Sequence, residues 1–159
     1  MAASSLTHIN KKSGKPVVNN YLLKEIQRAE KKLSDKGVAI TAGRVIAEQT
    51  LGFWNSLYEK HHYILLSGVP CTIFKSLPSG YGRKEVNDAI SRIRELRNRI
   101  NHNEPICFVH KKRDFSYARG MYHLLMDFLS WIDPSIPASL AEVDKVLAVI
   151  DREEKKQDC

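Results

Sequence analysis

Along most of this chain apolar residues recur at the three-and-four spacing of a helix face packed on a core. Leu22, Leu23, Ile26, Ala29 and Leu33 mark the first such face and predict a helix over about 20–35, with Gly37 where a C-terminal cap belongs. Thr41 then reads as an N-cap, with Ile40 and Val45 placed to form a hydrophobic staple across it. Val45, Ile46, Phe53, Trp54 and Leu57 extend a second helix from Ala42 to Glu59 or beyond. Large aromatics dominate helical cores, so Phe53 and Trp54 read as core rather than as a ligand platform. Between Tyr58 and Gly82, two prolines and three glycines allow only a connector with a short helical piece over about 71–77. A further helix opens near Gly82 or Arg83, with Glu85 favouring the dipole in its first turn. Its stripe of Val86, Ala89, Ile90, Ile93, Leu96 and Ile100 runs on to Pro105, where helix must stop. Ile106-Cys107-Phe108-Val109 is a short apolar run, predicted as one strand-like turn under the core. Tyr117, Met121, Leu124, Leu125, Phe128, Leu129 and Ile132 predict a helix over about 116–131, closed by Asp133-Pro134. Ser139 and Glu142 form a capping box for a last helix with the stripe Leu140, Val143, Leu147 and Ile150.

Periodicity and caps together predict an all-α bundle of about five helices, with the helix that ends at Pro105 near its centre. Residues 1–18, rich in Ser, Lys and Asn, read as a flexible leader. Residues 19–156 read as a single helical domain, and 159 residues are enough for a real core.

The net charge of +7 makes an acidic partner plausible, and nucleic acid is the commonest one. Many soluble proteins are mildly basic without such a partner, so distribution says more than the total. Residues 83–119 hold ten Lys/Arg against five Asp/Glu, whereas 120–159 hold four against eight. Positive charge therefore gathers around the helix ending at Pro105 and in the N-terminal region. The basic residues of the first helix read most simply as a solvated face. Cys71, Cys107 and Cys159 are odd in number and lack C-x-x-C spacing, which suggests neither a disulfide framework nor a zinc site and fits a reducing compartment. No signal peptide is evident, and no apolar run approaches the about 20 residues that span a bilayer. The expectation is a soluble cytoplasmic protein without a membrane partner. There is no Gly-rich phosphate loop, and no cofactor or metal is expected. In His61-His62, adjacent residues point apart on a helix and no carboxylate sits at a ligand spacing, so they read as a surface pair.

The candidate chemistry lies in Arg94-Glu95-Leu96-Arg97-Asn98-Arg99-Ile100-Asn101-His102-Asn103-Glu104-Pro105-Ile106. Its polar positions favour Arg and Asn, whose side chains recognise phosphates and base edges through several hydrogen bonds at once. Arg97 and His102 are five apart, about 140° around a continuing helix. They converge only if the last turn loosens, and Pro105 biases the residue before it out of helical geometry. His102 can then serve as general base or acid, and Arg97 can grip a scissile phosphate and stabilise its growing charge. That pair suits metal-independent RNA cleavage, in which a ribose 2′-OH attacks the adjacent phosphate. Asn98 would orient the phosphate or His102, and Glu104 would either position His102 or only fix the turn. Arg94, Arg99, Asn101 and Glu104, with the basic patch Lys111-Lys112-Arg113, are candidates for holding substrate. The same run could instead simply close its helix, with Arg97 paired to an acidic neighbour and His102 capping carbonyls.

Arg97-Asn98-Arg99-Ile100-Asn101-His102 resembles the R-x(4–6)-H motif of the HEPN superfamily. The longer stretch from Leu96 to Ile106 is similar to the LRNRIxHxEPI segment of its Abi-like (abortive infection) branch, and Gly52-Phe53-Trp54 to an upstream block of that branch. The likeness is best over about 41–133. It implies a four- to five-helix up-and-down bundle, usually dimeric, with the Arg-His motifs of two subunits meeting at the interface. It also implies a ribonuclease acting as a toxin or phage-defence effector, with RNA as substrate and an antitoxin or regulatory protein as partner. The other reading is a non-catalytic helical module that binds RNA, nucleotide or a protein through the same basic surface.

Overall fold

Capping chemistry decides where the helices of this chain begin and end. The computed structural model describes residues 6–9, 14 and 16–156, and these are predominantly helical, an all-α fold. Helix α1, Tyr21–Asp35, stops at a Schellman turn in which the Gly37 N–H donates to the Ser34 carbonyl and the Val38 N–H to that of Leu33, both at 2.9 Å. Gly37 takes the left-handed φ of +66° that this closure needs. Helix α2, Ala42–Ala47, begins as expected at Thr41, whose hydroxyl accepts from the Arg44 N–H.

The single helix expected over 42–59 is two short ones, α2 and α3 (Leu51–Ser56), and α4 (Lys60–Leu65) lies in the stretch expected as a connector. Thr50 adopts extended backbone and its hydroxyl accepts the Phe53 N–H at 3.3 Å, starting a new helix where the apolar stripe alone would continue the old one. Glu59, also extended, opens α4. Within the expected leader, β1 (Leu6–Ile9) pairs antiparallel with β2 (Pro16–Asn19), Leu6 opposite Asn19. Thr, Ile and Val favour such a ribbon, and Pro16 sits at a strand start where it is tolerated. Apart from Gly14, the rest of that leader lies outside the described residues, as does Cys159.

The chain divides into two compact units, Met1–Gly68 and Val69–Cys159. In the first, α1 packs on α2, with Ala29 and Leu33 buried. Glu48, just beyond α2, pairs with Lys32 of α1 and with Lys36 at its C-terminal cap, and those ammonium groups hold its carboxyl below the usual range.

In the second unit the centre is α6, Ser116–Ile132, rather than the Arg-rich helix α5, Arg83–Asn101. Helix α6 packs on α5, on α7 (Ser135–Leu140) and on α8 (Val146–Lys155). Its greater apolar content suits it to be covered on several sides. Val86 of α5 and Met121 of α6 are fully buried, and each such side chain stabilises the fold by about 1.5–3 kcal/mol. A 3₁₀ turn, Val69–Ile73, overlaps only the start of the short helical piece expected over 71–77. Phe74 meets Phe128 edge-on, Trp131 lies between Phe128 and Tyr81, and the Ser76 N–H donates to the Trp131 carbonyl at 2.9 Å.

The capping box expected at Ser139 is absent, because Ser139 lies inside α7 and its hydroxyl donates to the Ile136 carbonyl. Asp144 opens α8 instead, accepting from the Val146 N–H at 3.0 Å and from the Tyr122 hydroxyl at 2.6 Å. Val143, expected in the last stripe, is exposed. Among the described residues no helix is long and apolar enough to cross a membrane.

Candidate functional site

Helix α5 starts where a carboxylate can reach back: Glu85 accepts the Gly82 N–H at 2.9 Å, and backbone hydrogen bonds keep its carboxyl low. Burial then fades along the helix. Val86, Ala89 and Ile90 are buried, Ile93 and Leu96 are half-buried, and Ile100 is 51% exposed. The apolar stripe thus outruns the surface that covers it, and the last turns of α5 emerge into solvent.

The end of the helix is held by a second Schellman turn. The Glu104 N–H donates to the Arg99 carbonyl at 2.8 Å and the Asn103 N–H to that of Ile100 at 3.1 Å, with Asn103 left-handed at φ +55°. Arg99 locks this turn from outside. Its Nη2 donates to the Pro105 carbonyl at 2.7 Å, its Nε lies 3.6 Å from the Glu104 carboxylate, and its guanidinium stacks over Tyr117 at 4.7 Å. Arg99 and Glu104 therefore shape the turn, whatever else they touch.

A groove of about 680 Å³ runs along this half of α5, lined by Ser91, Arg92, Arg94, Glu95, Asn98, Arg99 and Glu104. Of the candidate residues it brings together Arg94, Asn98, Arg99 and Glu104. Ser91, Arg92 and Glu95 were missed, although Ser91, Glu95 and Asn98 recur at helical spacing and could have been read as one face. Arg92 also reaches Met121, with Nη2 3.9 Å from Sδ.

Arg97 and His102 lie outside the lining. Arg97 is exposed and donates to the Asn98 side-chain oxygen at 3.2 Å, so Asn98 links it to the groove edge. His102 is exposed, and its backbone N–H still donates to the Asn98 carbonyl at 2.9 Å. The α-geometry therefore runs on to His102, the last turn does not loosen ahead of it, and the two side chains stay about 140° apart around the axis. Asn101 is the exposed last residue of α5.

Beyond Pro105 the strand-like run lies outside the core. β3 (Phe108–Val109) pairs with β4 (Lys112–Arg113), and Phe108 is 49% exposed. The two-residue loop, His110 and Lys111, has φ of +47° and +65°, the sign of a type I′ hairpin, which usually needs Asn or Gly. This turn holds Lys111, Lys112 and Arg113 out in solvent. At its base the Cys107 thiol is pushed up by burial, and hydrogen bonds from Ser116 keep the Asp114 carboxyl low.

A second polar cluster went unread. His62 is 2% exposed, so His61-His62 is not a surface pair, and Glu59 lies within 4 Å of both rings. The break at Glu59, which opens a helix inside the stretch expected as a connector, brings that carboxylate to the imidazoles. No family model, curated protein or solved structure matches this chain.

Proposed function

We propose that this chain is a metal-independent endoribonuclease of the HEPN type, a toxin or phage-defence effector that works in the cytoplasm as a homodimer. One observation carries the reading. Arg97 and His102 are both exposed, and among the described residues neither makes the contact that helix closure alone would give it. Arg97 pairs with no carboxylate, and the turn is closed by Asn103, Arg99 and Glu104 without the His102 ring. The two side chains are left available on a surface rich in further cations.

In the proposed reaction His102 takes the proton from a ribose 2′-OH, the 2′-oxygen bonds to phosphorus, and the bond to the 5′-oxygen breaks. Arg97 holds the phosphate through two N–H groups and stabilises the charge of the five-coordinate state. The departing 5′-oxygen takes a proton from an imidazolium, leaving a 2′,3′-cyclic phosphate. Because Arg97 and His102 diverge on one helix, the working pair is Arg97 of one copy with His102 of the other. Exposed Ile100 offers apolar surface beside them for that meeting. Arg94 and Asn98 in the groove, with Lys111, Lys112 and Arg113 on the hairpin, hold the RNA backbone. An antitoxin or other regulatory protein would restrain the activity.

The second reading is a non-catalytic RNA- or protein-binding module. The same 140° divergence favours it if the chain works as a monomer. The deciding assay sets wild type against His102→Ala on total transfer RNA in EDTA. Wild type is expected to cleave, leaving cyclic phosphate ends. The variant should lose about 10²–10⁴-fold in rate with RNA affinity unchanged. Equal trace activity in the two would leave the binding module standing.

A further inference from the structure

We propose that Glu59, His61 and His62 form a binding site for a divalent transition-metal ion of the zinc class. On an uninterrupted helix these side chains would splay apart. The chain instead breaks before α4, with Glu59 extended at φ −63°, ψ 140°, and one ligand atom from each residue lies within 4.8 Å of the other two. The imidazole centroids are 4.0 Å apart. Glu59 Oε2 lies 3.4 Å from His61 Nε2 and 3.8 Å from His62 Nδ1. A tetrahedral zinc ion with arms of about 2.1 Å has ligand–ligand edges of about 3.4 Å. The His61–Glu59 edge already has that length.

An independent observation concerns the state of His62. Its Nδ1 lies 2.8 Å from the Ser56 carbonyl oxygen. A carbonyl only accepts, so Nδ1 donates to it and Nε2 is the nitrogen left to coordinate an ion. A neutral imidazole whose other nitrogen is tied to a backbone carbonyl is the form in which histidine binds metals. Burial fixes that ring in place. Coordination through Nε2 asks Glu59 to turn toward it, and that side chain is 49% exposed.

Two imidazoles and a carboxylate select zinc and its late first-row neighbours over calcium or magnesium, which take oxygen ligands. Three protein ligands leave a fourth position for water or another group. An ion here would clamp α4 to the end of α3, the junction that the His62–Ser56 bond already ties. The inference is independent of the ribonuclease reading, which needs no metal and uses none of these residues.

The test titrates untagged full-length protein with zinc chloride by calorimetry, and with cobalt for its visible spectrum. One ion per chain is expected, with the strong bands of a four- or five-coordinate nitrogen and oxygen site, no thiolate charge transfer, and a melting temperature that rises with zinc. His61→Ala and Glu59→Gln should each raise the dissociation constant at least about tenfold while the metal-free melt changes little. Absence of binding, a thiolate spectrum, or affinity untouched in both variants would overturn the site. If His61→Ala fails to fold, Glu59→Gln and the wild-type cobalt spectrum still decide.

Discussion

The two places where this chain gathers polar side chains are built in opposite ways. At the end of α5, Arg94, Arg97, Asn98 and His102 stand in solvent, and only Arg99 and Glu104 are committed to each other and to the turn. At the junction of α3 and α4, Asn55, Ser56 and His62 are the buried polar residues among those described. A buried polar group must be satisfied or it costs about 1–3 kcal/mol. The Ser56 hydroxyl donates to the Phe53 carbonyl at 2.7 Å, and the Ser56 carbonyl in turn holds His62. Exposed cations carry no such constraint, and they need not support the fold in order to be present. The first region is thus free to be tuned for a ligand; the second has its geometry fixed before any ligand arrives.

The largest effect expected from this contrast is complementation at α5. If Arg97 of one copy works with His102 of the other, purified Arg97→Ala and His102→Ala should each be nearly inactive. Mixed after mild dissociation, they form heterodimers with one intact pair, so activity should return to about a quarter of wild type for random two-fold pairing. Replacing His102→Ala in that mixture by the double variant Arg97→Lys/His102→Ala should restore less, because the one complete pair then carries an ammonium, which cannot reproduce the planar two-point grip. Failure to recover activity, with heterodimers verified by native mass spectrometry, would rule out the composite site.

How much of this was legible in advance follows the same division. Several ends that a single residue closes by its own chemistry were readable: Gly37 after α1, Thr41 before α2, Glu85 at the start of α5 and Asp133-Pro134 after α6. Reading failed where a local cap competes with an unbroken apolar stripe. Thr50 starts a helix in the middle of such a stripe, which hid it, and Glu59 starts one inside the stretch read as a connector. That error concealed the buried histidine cluster, because the carboxylate nearest to it belongs to the break. At α5 the residue types were legible and their arrangement was not. Whether Ile100 is covered depends on how far a neighbouring helix reaches, which no local pattern encodes.

The contrast in stability is the next largest effect. His62→Ala removes a buried ring and its bond to Ser56, and should lower unfolding stability by about 2–4 kcal/mol. Arg94→Ala, in the open groove, should stay within about 0.5 kcal/mol of wild type while weakening RNA binding. Urea denaturation of both variants checks this. A tolerant His62 or a destabilising Arg94 would reverse the assignment of which region is fixed and which is free.

The smallest effect tests whether the α5 terminus is merely a well-closed helix. Asn103 occupies the left-handed position of the Schellman turn, and Asn is the commonest substitute for Gly there. Asn103→Ala keeps the charge pattern and the Cβ that crowds a carbonyl but loses the short polar side chain that makes the left-handed region tolerable to Asn, and should cost about 1 kcal/mol. Asn103→Gly removes that crowding, adds freedom to the unfolded chain, and should stay within about 0.5 kcal/mol of wild type. The two variants leave Arg97 and His102 chemically intact. If closure only positions the site, cleavage should follow helix closure: Gly near wild type, Ala reduced by the share of molecules with a frayed last turn. If Asn103 instead touches the RNA, both variants lose activity together although only Ala loses stability. Paired melting curves and initial rates on one RNA substrate separate the two outcomes.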